Sequence, residues 1–203
     1  MQTADIDFWY EFSSPYSYLS VMRIEALAQT HNIAIHWRPF LLAPVFMALG
    51  WNDSPFNIYP PKGRYMWKDI ARQAEKHALP FTLPSRYPRE AKLAAQVALN
   101  GSEEPWIAGF SKAVMQANFV HNQDIAQPEV IRDILTALAL PAEKILAEAQ
   151  DSATEQKMQQ QIQQALEYGI FGAPSFIVRG DLFWGNDRLD DAIHWAAHSH
   201  SHS

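Results

Sequence analysis

The chain has 203 residues, 48% hydrophobic and 19% charged, with a net charge of −6. This suits one large globular domain, or one domain carrying an insertion, and it argues against nucleic acid as the main partner. There is no cysteine, which excludes disulfides, thiol catalysis by the chain itself and cysteine-based zinc sites; no apolar run approaches the ~20 residues that span a membrane.

The opening stretch MQTADIDFWYEF has no basic n-region, so a secretory signal is not expected and the cytoplasm is the default location. Residues 5 to 12 read as a strand buried on both faces. Residues 15 to 30 read as a helix, with Leu19, Met22, Ala26 and Leu27 on one apolar face. Residues 33 to 40 alternate Ile33, Ile35 and Trp37 with Ala34, His36 and Arg38, a strand of period two. Strand, helix and strand at this spacing form a βαβ unit, so the two strands should be parallel. Prolines and Gly50 break up residues 43 to 61. Helical patterns then cover 62 to 78, 88 to 100, 104 to 119, 128 to 139, 141 to 150 and 153 to 168. Val130, Ile134, Leu135 and Leu138 mark one stripe, and Met158, Ile162, Ala165 and Leu166 another. Ser152 and Glu155 have capping-box spacing at the start of the last helix, whose glutamines at 159 to 164 read as a solvated face. Ser175 to Arg179 and Leu182 to Trp184 read as a hairpin turning at Gly180–Asp181. A final helix spans 188 to 197, before the tail HSHSHS.

Without its helical block, the order is βαβ followed by αββα. That is an α/β thioredoxin-like fold with a large all-helical insertion. The boundaries fall at 1–60 and 155–203 for the thioredoxin-like part and 61–154 for the inserted helices.

In thioredoxin-like redox proteins the first strand ends in C-x-x-C at the start of the first helix, where unpaired N–H groups and the helix dipole favour a thiolate. This chain has Ser14-Pro15-Tyr16-Ser17 there. A plain N-cap followed by proline is the alternative. With both sulfurs gone, the turn is suited to a thiolate brought by another molecule, and glutathione is the expected owner. The Ser14 hydroxyl would donate to its sulfur. Phe171-Gly172-Ala173-Pro174-Ser175 enters the short strand. In the thioredoxin fold a cis-proline stands here and leaves the backbone of the preceding residue, Ala173, open to a docking peptide; an ordinary turn is the alternative. Trp184-Gly185-Asn186-Asp187-Arg188 sets an acid at a helix start. N–H groups there can receive the γ-glutamyl carboxylate and Asp187 its ammonium; Asp187 as a simple N-cap explains the motif equally well.

Three stretches, DFWYEFSSPYSYL at 7–19, SPFNIYPPKGRYMWKDIAR at 54–72 and GIFGAPSFIVRGDLFWGNDRLDD at 169–191, together resemble the 2-hydroxychromene-2-carboxylate isomerase family. These proteins are relatives of kappa-class glutathione transferases within the DsbA-like thioredoxin superfamily. The resemblance implies that Ser14 activates glutathione and that Ala173, Pro174, Trp184, Asn186 and Asp187 help to bind it. Lys62 would lie near its glycyl end. Asn52 and Asn57 compete for a further polar contact, with Asn57 the candidate carried forward. The implied reaction belongs to aromatic compound catabolism. A glutathione thiolate adds reversibly to the conjugated side chain of an aromatic 2-oxo acid, the former double bond rotates, and sulfur leaves. For the small aromatic carboxylate substrate, Arg64 or Arg86 is the candidate carboxylate partner, and Trp37, Phe40 and Trp51 are candidate walls for the ring. Family members are typically homodimers.

Other classes remain open on the residues alone. A kappa-like glutathione transferase would use the same glutathione half-site, and a non-catalytic DsbA-like binding protein would not need it. His194 and His198 stand at i, i+4, a spacing that can bind zinc, but no nearby acid completes a site, so no metal is expected.

Overall fold

A computed structural model of the protein describes residues 4–198. Its centre is a four-stranded sheet in the order β2-β1-β3-β4. Strand β1 (Ile6–Tyr10) pairs in parallel with β2 (Ile35–Pro39), Phe8 facing Trp37, and antiparallel with β3 (Ser175–Val178), Phe8 facing Phe176. Strand β4 (Asp181–Trp184) closes the hairpin. The expected turn is shifted by one residue. Arg179 and Gly180 are the connecting pair, with φ of +54° and +89°, and Asp181 already pairs with Val178. A two-residue hairpin turn with both φ positive matches the right-handed twist of its strands.

The run IDFWY feeds both faces of the sheet because successive side chains alternate. Ile6, Phe8 and Tyr10 enter one cluster with Trp37 and Phe176, while Trp9 enters a second with Phe40, Val45, Ala165 and Ile177. Phe8 is the pivot of the first, 5.0 Å from the Tyr10 ring, 5.3 Å from Phe176 and 5.4 Å from Trp37. Trp37 and Phe40 are therefore core residues, 5% and 0% exposed. The expectation that they wall a substrate ring is corrected: neither has a surface to offer.

The expected first helix is two. α1 (Pro15–Val21) and α2 (Ile24–Gln29) are separated at Met22–Arg23, where Arg23 N–H donates to the Ser20 carbonyl in a tighter turn. The Arg23 guanidinium reaches Asn186 and Asp190. The break re-aims α2, so that Ile24 and Ala28 are buried and Ala26, expected on the apolar face, is exposed. The proline-broken stretch forms α3 (Leu42–Ala48) and α4 (Pro55–Ile58).

Helices α5 (Pro60–Lys76), α6 (Lys92–Asn100), α7 (Ile107–Phe119), α8 (Pro128–Ala137) and α9 (Ala142–Ala149) follow, then α10 (Ser152–Glu167). They share their core with the sheet: Met66, Ile70, Phe110, Val114 and Leu146 belong to the same cluster as Phe8, Tyr10 and Leu19. The capping box at Ser152 is corrected. Asp151 is the N-cap and accepts the Thr154 N–H at 2.7 Å, while Glu155 turns to Lys92 and Gln96. The glutamine face is solvated except at Gln161, which is buried and donates to the Pro39 carbonyl.

After β4 a 3-10 turn, Asn186–Arg188, leads into α11 (Leu189–Ala197). The two ends of the described chain meet, Ala4 N–H donating to the Ala196 carbonyl. The His-rich tail beyond residue 198 lies outside the described residues. No helix among the described residues is long and apolar enough to cross a membrane.

Four side-chain hydrogen bonds bind the β1–α1 region to the helical block. Tyr10 and Ser111 share a hydrogen bond between their hydroxyls, Tyr16 donates to Asp69 and Tyr18 to the Pro80 carbonyl. Asn118 Nδ2 donates to the Phe12 carbonyl, and its Oδ1 accepts from the buried Arg89. Replacing Asn118 by alanine strands both the carbonyl and part of a buried cation, which costs roughly 2–3 kcal/mol. Urea denaturation should therefore show a lower midpoint at unchanged slope, and a midpoint equal to wild type would contradict this role.

Candidate active site

The site grows from the point where β1 leaves the sheet. Ser14 is the N-cap of α1 and only 7% exposed. Its Oγ accepts the Ser17 N–H at 3.1 Å and donates to the Ala173 carbonyl at 3.0 Å. Ala173–Pro174 is a cis peptide bond, as expected from the fold reading; Tyr87–Pro88 is also cis. The Ala173 carbonyl already accepts the Ser14 hydroxyl, which leaves it one lone pair for a docking peptide. The first turn of α1 is also less open than its sequence suggests. Pro15 has no N–H, Ser17 donates to Ser14 Oγ, and Tyr18 donates to the Ser14 carbonyl. Tyr16 N–H remains without an acceptor among the described residues.

Beside this turn lies Phe171-Gly172. The Trp184 indole packs so close to Gly172 that a Cβ there would stand 2.3 Å from Nε1, and the Phe171 and Trp184 rings are 4.7 Å apart and partly exposed. Asn186 is buried, and its Oδ1 accepts from Ser20 Oγ and Arg23 Nη1. Its side chain thus ties the β4–α11 turn to α1. Asp187 is not an N-cap. It pairs with Arg188 at 3.0 Å and, with Asp69 and Tyr65, acts on the Tyr16 hydroxyl, whose ionisation is pushed up chiefly by burial. Asp187 therefore lies on the same side as Tyr16, two residues past Ser14.

Lys62 is exposed, with Nζ 5.4 Å above the Phe56 ring, and Phe56 packs 6.3 Å from Tyr16. Asn57 donates to Asp53 at 3.0 Å and is exposed, as is Asn52. Trp51 is exposed and packs on Phe46. Arg64 and Arg86 are exposed. The structure thus brings Ser14, Ala173 and Pro174 together and sets Asp187 and Lys62 on the flanks of Tyr16. It does not draw Trp37 or Phe40 to the surface. His194 and His198 have rings 4.2 Å apart, and no group of three potential metal ligands occurs among the described residues.

Sequence reasoning missed Glu11. It directly follows β1 and is partly buried. Its carboxyl accepts the Ser13 hydroxyl at 3.3 Å and the Leu42 N–H. Burial pushes it up to about 7, against the downward pull of those two bonds. The available signal was an acid placed at the end of an otherwise apolar strand, just before the serines. Tyr87 was missed too. Its ionisation is pushed up by burial and then by Glu11 and Asp53, and its ring stands edge-on to Trp67 at 4.7 Å.

The family model of the DsbA-like thioredoxin domain matches residues 5–193. The chain belongs to the DsbA-like thioredoxin family. Within it, the 2-hydroxychromene-2-carboxylate isomerase of Sphingobium xenophagum is 29% identical, over 93% of this chain and 95% of its own. Human glutathione S-transferase kappa 1 is 23% identical, over 93% of this chain and 89% of its own. A solved 2-hydroxychromene-2-carboxylate isomerase structure superposes with a TM-score of 0.83 at 24% identity, covering 91% of this chain and 90% of that one. The thioredoxin-like sheet with its many helices is thus the family's fold.

The Glu11 carboxyl also sets a pH signature. Folding raises its pKa above the unfolded value of 4.5, so the folded state binds the extra proton. The stability linked to that proton is complete below about pH 4.5 and is lost as pH rises through about 7. Relative to Glu11→Gln, the wild type should lose on the order of 1–3 kcal/mol between pH 4.5 and pH 8. Urea unfolding of both proteins at the two pH values checks this; a difference that does not change with pH would refute it.

Proposed function

We propose that the protein is a glutathione-dependent isomerase of 2-hydroxychromene-2-carboxylate-type aromatic 2-oxo acids, acting through a thiolate bound at Ser14. One observation carries this reading: a nearly buried serine hydroxyl, not a sulfur, occupies the N-cap of α1 beside the Ala173 carbonyl. The isomerase at 29% identity over 93% of the chain supports the choice of chemistry.

The residues fit a thiol peptide by their donor set. The Ser14 hydroxyl has one proton, now donated to the Ala173 carbonyl in a hydrogen bond; a small rotation of the hydroxyl would direct it to a sulfur. Tyr16 N–H would supply a second donor. Lys62 suits a carboxylate, Asp187 an ammonium, and Asn57, Pro174, Trp184 and Asn186 frame the rest. Bound glutathione would supply a thiolate that adds reversibly to the conjugated alkene. The task of Ser14 is to favour the thiolate form without making it too stable to react. A depressed thiol pKa aids both formation and departure, at some expense in nucleophilicity. Arg64, Arg86 and Trp51 are surface candidates for holding the aromatic carboxylate. A homodimer in the cytoplasm completes the proposal.

The test is turnover of 2-hydroxychromene-2-carboxylate with and without glutathione, following both the trans-alkene product and total thiol. Isomerisation should require glutathione and leave the thiol concentration unchanged. Ser14→Ala should fold and lose about 10²–10³ in kcat, the usual cost of removing one donor to a developing anion. Stoichiometric loss of thiol would favour a transferase, and glutathione-independent turnover would refute both.

A further inference from the structure

Glu11 has no role in the thiolate chemistry above, yet it directly follows β1 and lies three residues before Ser14. Its backbone is fixed on both sides, its N–H donating to Ser17 Oγ at 3.3 Å and its carbonyl accepting the Ser14 N–H at 3.1 Å. One carboxyl oxygen holds the Ser13 hydroxyl. The groups facing it are few. From the β1–α1 turn there is Ser13, from the start of α3 the Leu42 N–H, and from the segment before α6 the phenol of Tyr87. Tyr87 stays neutral near pH 7 because its ionisation is pushed up. No lysine, arginine or histidine forms an ion pair with Glu11 among the described residues. A structural carboxylate this poorly compensated is costly to keep. A carboxyl that must exist in both protonation states gains from the same surroundings.

The proposed substrate needs such a group. It is a cyclic hemiketal, and its side-chain double bond is free to isomerise only after the ring opens. Opening moves a proton from one oxygen to another. We propose that Glu11 is the proton-transfer residue for this ring opening and closing, an inference that rests on the functional reading above. The Glu11 carboxylate takes the proton of the 2-hydroxyl. The electrons of that O–H bond become the new C2=O bond as the bond from C2 to the ring oxygen breaks. The protonated Glu11 then returns the proton to the departing ring oxygen, which leaves as a phenol. Glu11 ends as it began, and closure is the reverse. Ser13 is a positioning residue that fixes one carboxyl oxygen. With its carboxyl at about 7, Glu11 has both acid and base forms populated at neutral pH, the condition under which one group serves best in both directions.

Two substrates separate this step from the rest. One is 2-hydroxychromene-2-carboxylate. The other is Z-benzylidenepyruvate, which lacks the ring hydroxyl and cannot close. The readout is the ratio of their kcat/KM values with glutathione, after subtraction of spontaneous ring opening, for wild type, Glu11→Gln and Glu11→Asp. Glu11→Gln should lower the ratio by about 10²-fold or more, the usual scale of acid–base catalysis. It should also abolish the dependence on a group titrating near neutrality for the chromene. Glu11→Asp, which keeps the chemistry with shorter reach, should recover part of the ratio. A general structural defect would slow both substrates alike and leave the ratio unchanged, and an unchanged ratio in both variants overturns the proposal. If the wild type turns over neither substrate with glutathione, it is the functional reading that falls, and the role of Glu11 with it.

Discussion

One hydroxyl group holds the site together. Ser14 Oγ accepts an amide proton from α1 and gives its own proton to the carbonyl of Ala173, 159 residues further along the chain. The first contact starts the helix, and the second locks the helix start to the segment that enters β3. A cysteine would do both less well, since sulfur is a weaker donor and acceptor. A serine here therefore serves the fold before any ligand arrives. Its single proton is the limiting resource: donation to a bound anion means withdrawal from Ala173. Under the proposed function, ligand binding and this internal tie would compete for the same proton.

The helical block acts as a buttress to that joint. Tyr10, Tyr16 and Tyr18 each extend a phenol to a partner in the block, and Asn118 holds the Phe12 carbonyl from the far side. The first three reach from residues six and two apart along β1 and α1, so the strand end and the helix start are braced together. Arg89, buried and bonded to Asn118 and the Asn122 carbonyl, fixes the brace. This explains why the block shares the sheet's core. A helical domain with its own core would move as a body and carry the Phe12–Ser14 turn with it.

The parts of this arrangement that were legible in the sequence are those set by periodicity and by turn chemistry. IDFWY and IAIHW announce a parallel pair because each is apolar at strand spacing with a helical stretch between. The Ser-Pro and Ala-Pro steps mark the two segments that meet. What escaped was the side-chain wiring. Trp37 and Phe40 look like ring walls in a string of letters, but the pleat turns one to each face of the sheet, where Phe8 and Trp9 bury them. The α1–α2 break has no proline or glycine to announce it; it comes from Arg23 reaching Asn186 and Asp190 across more than 160 residues of chain. Glu11 reads as one acid among many until the start of α3 folds over it.

The strand order has a consequence for how the protein is made. β1 is the first strand to leave the ribosome, yet it lies between β2 and β3, and β3 comes from the last part of the chain. The nascent chain can complete only half of the central ladder, and its Ser14 hydroxyl has no Ala173 to meet. At ordinary synthesis speeds of about 5–20 residues per second, the gap lasts on the order of 10–30 s. During that time β1, mostly apolar, carries an unpaired edge. The joint between Ser14 and Ala173 therefore exists only in a molecule whose synthesis has run as far as β3.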